Sequence, residues 1–129
     1  MNAYTEQVLE DGARNYIVKL TAVLDTADQP MTTVVKPADC AVYKPTLFRI
    51  DHIDFTISDG IEVQLWWEGT PDAIILPMAG RNKFNYNDLG GLINNASSPT
   101  GGIRIKTTGY LTGTQVYSVL LWMVKQGVQ

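Results

Sequence analysis

The single histidine of this chain, His52, stands in the run Asp51-His52-Ile53-Asp54. This is the one place where the sequence offers the ligand types of a metal site, because imidazole nitrogen and carboxylate oxygen both bind zinc or iron. On an extended strand, however, Asp51 and Ile53 face one way while His52 and Asp54 face the other. Two ligands at most then share a face, one fewer than a catalytic zinc needs. The expectation is a hydrogen-bonded His52–Asp54 pair on a polar strand face, with no metal bound. A lone histidine also leaves multi-histidine sites out, and no Ser-His-Asp pattern is readable around it. The carboxylates Asp51, Asp54, Asp59, Glu62, Glu68 and Asp72 are numerous enough for the acid–base pair of a glycosidase. Most of them fall where turns and wet strand faces want them. Gly90-Gly91 and Gly101-Gly102 lack the Lys-Ser/Thr and the strand-to-helix setting of a phosphate loop and read as tight turns. Cys40 is the sole cysteine, so neither an intrachain disulfide nor a cysteine zinc site is open to it; a buried thiol is expected. No catalytic residue, metal or cofactor is expected, and the chain reads as a non-enzyme.

The element that carries most information is the strand expected at residues 61–67. Ile61, Val63, Leu65 and Trp67 alternate with Glu62, Gln64 and Trp66, the period-2 pattern of a strand with one buried and one wet face. Trp67 is read as core. Trp66 breaks the pattern, since it shares the polar face with Glu62 and Gln64. A large aromatic on such a face marks a contact surface. Trp66, Trp67 and Tyr86 also offer the aromatics of a carbohydrate-binding face, which keeps a sugar-binding module as an alternative.

Other strands are expected at residues 14–25, 31–36, 46–58, 73–78, 83–86, 102–108 and 115–125. In 46–58 the apolar set shifts from Phe48 and Ile50 to Ile53, Phe55 and Ile57, which predicts a β-bulge near Asp51-His52 or a crossing between sheets. Ser58-Asp59-Gly60 is expected to be a tight hairpin connection. Residues 38–44, between Pro37 and Pro45, read as irregular or an edge, and 87–100 as a surface loop. Residues 115–125 are apolar on both faces, with Val116, Leu120, Trp122 and Val124 on one and Tyr117, Val119, Leu121 and Met123 on the other. One face meets the core, and the other needs a cover from loops or from a second copy. Tyr117 and Met123 are taken as interface candidates on that ground. Residues 1–12 are expected to form an N-terminal arm whose Tyr4, Val8 and Leu9 could clasp a neighbour, with 13–129 as the single domain. About eight short strands separated by Gly, Pro, Asn and Asp turns, with no helical period, indicate an all-β antiparallel sandwich or barrel.

A chain of 129 residues fits one domain with a proper core. Ten basic against 13 acidic residues give a net charge of -3, which argues against nucleic acid or an anionic membrane as partner. The first residues lack the basic and apolar regions of a secretory signal, and no apolar run is long enough to span a bilayer, so a protein of the cytoplasm is expected.

The run from Asp11 through Arg14-Asn15-Tyr16 to Asp25 resembles the start of small virion proteins of tailed bacteriophages. So does the stretch from Leu47-Phe48-Arg49-Ile50-Asp51 through Trp66-Trp67 to Leu89-Gly90-Gly91-Leu92, and the end from Gly101 to Lys125-Gln126. The similarity covers about residues 11–126. These are framework motifs rather than catalytic ones, and they carry over no contact residue. Within that group the chain looks most like capsid cement, or decoration, proteins. The resemblance implies a jelly-roll-like sandwich that sits outside the shell, bridges major capsid protein subunits and works as a dimer or trimer on a virion assembled in the host cytoplasm. A neck or tail adaptor is the alternative within the same group.

Overall fold

The computed structural model describes residues 2–127, which form nine strands. These are β1 (Ala3–Asp11), β2 (Asn15–Leu24), β3 (Thr32–Val35), β4 (Leu47–Ile57), β5 (Glu62–Trp67), β6 (Ala73–Met78), β7 (Arg81–Asn85), β8 (Ile103–Thr108) and β9 (Gln115–Gln126). They build two antiparallel sheets. The larger has the order β1-β2-β9-β4-β7 and the smaller the order β3-β8-β5-β6. Among the described residues no helix is long and apolar enough to cross a membrane.

The chain changes sheet at every connection except β1–β2 and β5–β6. Strands β2 to β9 thereby form two four-stranded layers whose interleaved order is that of a jelly roll, with β1 added at the β2 edge. The expected all-β sandwich is therefore present, with a jelly-roll order that periodicity alone does not reveal.

Alternation explains the core. Tyr16, Val18, Leu20, Ala22 and Leu24 of β2 and Tyr117, Val119, Leu121 and Met123 of β9 point inward from the larger sheet. Val63, Leu65 and Trp67 of β5 and Ile103 and Ile105 of β8 meet them from the smaller one. Trp67 is 1% exposed and is core, as its parity requires. Cys40 is buried with them, and burial pushes its thiol up from the ordinary value.

The face change in β4 is a bulge: register with β9 slips between Ile50 and His52, so Ile50 and Asp51 are both covered. The connection Ser58-Asp59-Gly60 differs from expectation. It is no hairpin but a crossing from β4 in one sheet to β5 in the other. Gly60 takes a φ of +99, and Ser58 Oγ donates to Gln115 Oε1 at 2.7 Å, tying the crossing to the start of β9.

The expected N-terminal arm is also corrected. Residues Ala3–Asp11 are a sheet strand, paired with β2 from Ala3↔Val23 to Asp11↔Tyr16. A fifth strand facing a four-stranded layer has little to pack on, and this is why its sequence lacks clean alternation. Tyr4 alone of its side chains packs against the core. The strand is held instead by backbone pairing, and by Asp11, whose Oδ1 accepts from the fully buried Lys125 Nζ at 2.7 Å.

Candidate functional site

The two outer sheet faces differ in kind. On the smaller sheet, Glu62, Gln64 and Trp66 of β5 stand beside Arg104, Lys106 and Thr108 of β8. Gln64 Nε2 donates to Glu62 Oε1 at 3.1 Å, and Trp66 Nε1 donates to Gln64 Oε1 at 3.2 Å. Lys106 Nζ lies 5.9 Å from the centre of the Trp66 ring, a cation–π distance. Arg104 Nη1 pairs with Asp72 Oδ2 at 2.9 Å. Glu68 accepts from Thr100 at 2.5 Å and from Thr33 at 2.8 Å. Those two hydroxyls are the main reason its carboxyl lies below the usual value; burial and Asp72 oppose them and Arg104 assists. Trp66 does stand on the polar face, but it is half-buried and its indole N–H is already engaged. Apart from Arg104 Nε, which is buried 3.8 Å from Glu68 Oε2 without a hydrogen bond, the side chains named here engage one another.

On the outer face of the larger sheet, the central strand presents Val116, Ser118, Leu120 and Trp122 outward, between β2 and β4. Val116 stands beside Val23, Leu120 between Lys19 and Asp54, and Trp122 between Ile17 and His52. Val23, Val116 and Trp122 are 42%, 44% and 44% exposed. The result is an apolar stripe along β9. Leu9, the extra residue of the bulge between Val8 and Glu10, joins it near Leu120, where a shallow hollow of about 400 Å³ also touches Lys19 and Asp54.

At the Trp122 end the stripe deepens into a groove of about 340 Å³, lined by Arg14, Asn15, Asp51, His52, Asn85, Asn87, Leu120 and Trp122. Three local structures hold these side chains. The β1–β2 turn, closed by Gly12 N donating to Asn15 O at 2.9 Å, supplies Arg14 and Asn15. Lys125 N, donating to Arg14 O at 2.7 Å, fixes that turn on β9. The β4 bulge supplies Asp51 and His52. The segment after β7 supplies Asn85 and Asn87, with Asn87 N donating to Asn85 Oδ1 at 2.9 Å. That segment is anchored on the bulge, since Tyr86 N donates to Asp51 O at 2.7 Å and Leu92 pairs with Ile50 through both backbone groups. Gly91 has a φ of +84, a conformation that favours glycine, and a Cβ there would lie 2.3 Å from Arg49 Cδ and push that side chain off Asp51.

Electrostatically the groove is mixed. Asp51 accepts from Arg49 Nε at 2.9 Å and from Arg49 Nη2 at 3.3 Å, and that bond raises the Arg49 guanidinium above its ordinary value. The side chains of Arg14, Asn15, His52 and Asn87, by contrast, make no hydrogen bond to any described residue. His52 and Asp54 share the outer face, but no hydrogen bond joins them, so the expected pair is absent. No three His, Cys, Asp or Glu side chains converge among the described residues.

The interface candidates therefore separate. Tyr117 and Met123 are corrected: both are core, 1% and 0% exposed, and Tyr117 donates its hydroxyl to buried Gln29. β9 turns its odd residues inward, and Ser118, the polar member of its even set, is the sequence sign that could have told the faces apart. Tyr4 leans inward, its hydroxyl buried without a hydrogen-bond partner, and burial drives that hydroxyl well above the ordinary tyrosine value. Val8 and Leu9 are half exposed on β1. Trp66 lies in the smaller sheet and the others in the larger, so the six form no single site. Nor do the aromatics Trp66, Trp67 and Tyr86, because Trp67 is interior. Trp122, which sequence reasoning passed over, is the tryptophan that reaches a groove. Comparison with protein-family models and with curated proteins finds no match to this chain.

Proposed function

We propose that this protein is a structural, non-enzymatic component of a bacteriophage virion, a cement protein that binds the outer capsid shell and bridges major capsid subunits. The observation that carries this reading is the apolar stripe on the outer face of the larger sheet, at its most apolar where Val23 and Val116 stand side by side. A jelly roll that buries one face of β9 and leaves valine, leucine and tryptophan on the other is built to be covered by a neighbour. The resemblance of residues 11–126 to small virion proteins names the kind of neighbour. Self-association as a dimer or trimer belongs to the same proposal, because copies joined to one another and to a lattice gain attachment strength through effective concentration. A body of net charge -3 suits contact with protein better than contact with packaged nucleic acid.

The test is replacement of both Val23 and Val116 by lysine. The stripe is on the surface, so the fold is expected to persist by circular dichroism. Attachment of the purified protein to particles lacking it should fall at least tenfold, since two buried apolar contacts become two desolvated charges. Cryo-microscopy of the virion gives the complementary result: density over the shell in many copies is expected, and density confined to one neck or tail ring would overturn the cement reading.

A further inference from the structure

We propose that the groove beside Trp122 is a saccharide-binding subsite, a role beyond attachment to the shell and located at the other end of the same sheet face. Val23 and Trp122 belong to cross-strand pairs six residues apart along β2, Val23↔Val116 and Ile17↔Trp122. At the rise of a strand this separation is roughly 20 Å. The two ends of the stripe can therefore hold different partners.

Three observations point to a sugar. The first is the floor. Trp122 is 44% exposed, stands in register between Ile17 and His52 and lines the groove, so its indole is open to a ligand. An aromatic face of this kind takes the apolar C–H face of a pyranose ring, where the positive C–H edges meet the negative π cloud. The second is the rim. Asn15, Asn87, Arg14 and His52 are planar donor or acceptor groups that no described residue engages. Amides and guanidinium offer paired, coplanar hydrogen-bonding atoms, which match the adjacent hydroxyls around a sugar ring. The third is size and rigidity. A volume of about 340 Å³ is at the small end of ligand pockets, and the rim rides on a turn, a bulge and a glycine-fixed loop, all pinned by backbone bonds.

Other occupants fit less well. A phosphate or nucleotide would find a single unengaged guanidinium, Arg14, beside an Asp51 carboxylate that Arg49 already pairs, in a protein of net charge -3. A stacked base also needs a basic track for its backbone. A purely apolar ligand would strand the amides of Asn15 and Asn87. The outer face of the smaller sheet is no rival, because Trp66 has its N–H bonded to Gln64 and Lys106 over its ring. The ligand class is a neutral pyranose oligosaccharide end, bound weakly through a single ring.

The experiment is nitrogen-15 correlation spectroscopy of the full chain, titrated with trisaccharides of glucose, mannose, galactose and N-acetylglucosamine at millimolar concentration. At least one is expected to shift the Trp122 indole N–H and the Asn87 amide. Trp122→Ala should abolish the shifts, and Asn87→Ala should weaken binding about tenfold. Trp66→Ala and the double lysine variant at Val23 and Val116 should bind as the native chain does. The unperturbed remainder of the spectrum reports that each variant is folded. No response to any of the four sugars, shifts centred on Trp66, or equal shifts with adenosine monophosphate would each overturn the proposal. Loss of capsid attachment with sugar binding intact would bear on the cement role alone.

Discussion

At the scale of single residues, two carboxylates knit distant parts of the sandwich together. Asp11 joins the end of β1 to β9 through Lys125 and also accepts from Ala41 N at 2.6 Å. Burial raises its carboxyl, but these donors outweigh that and leave it below the ordinary value. Glu68 does the same on the opposite layer, where Thr100, Thr33 and Arg104 meet after β5. A carboxyl lowered in the folded state contributes stability above its unfolded value and loses it as pH falls through the folded one. Glu68→Gln should therefore cost about 1 kcal/mol at neutral pH, the worth of a partly exposed charged hydrogen bond. The gap between variant and native chain should narrow from neutral to acid pH, as the carboxyl takes up its proton below the ordinary glutamate value. Urea unfolding at the two pH values measures it, and a pH-independent gap would assign the cost to shape instead of charge.

At the scale of elements, β9 decides what faces outward. Its two neighbours by sequence, Trp122 and Met123, have opposite fates, the first 44% exposed and the second fully buried. Met123→Ala should cost about 2–5 kcal/mol, as large-to-small changes in a packed core do. Trp122→Ala should stay within about 1 kcal/mol, as surface changes usually do. Chemical denaturation of both variants checks the assignment, and reversed values would overturn it. This strand also shows why the site was less legible than the fold. Alternation in residues 15–24 and 61–67 is legible despite Ile17, Val23 and Trp66, because Asn15, Lys19 and Thr21 in one and Glu62 and Gln64 in the other mark the outer face, so period 2 identifies both strand and inside. Residues 115–125 are apolar on both sides, and apart from Ser118 hydrophobicity carries no sign of which side the partner sheet covers. β1 fails in the complementary way: edge pairing uses backbone groups that every sequence has, so residues 3–11 gave no strand pattern to read. The groove is a third case, since Arg14, His52 and Asn87 belong to segments far apart in the chain that only the sheet order brings together.

At the scale of the whole molecule, the jelly roll makes most strand pairings non-local; only β1–β2 and β5–β6 join strands consecutive in the chain. β2 meets β9 through Asn15↔Val124, a separation of most of the chain. Such topologies fold slowly, because loop closure must precede the contacts that reward it. Refolding from denaturant should take milliseconds to seconds, with both tryptophan fluorescence and β-sheet circular dichroism reporting it; a microsecond phase carrying the full amplitude would contradict this topology. The place of β9 at the centre of the larger sheet also has a meaning for biosynthesis. Of the nine strands the ribosome delivers it last, while β2 and β4, which it must separate and join, have been waiting with their apolar faces bare. The larger sheet therefore closes only after β9 itself has left the ribosome, and until then the nascent chain is a client for whatever holds unfinished β-sheets apart in the cell.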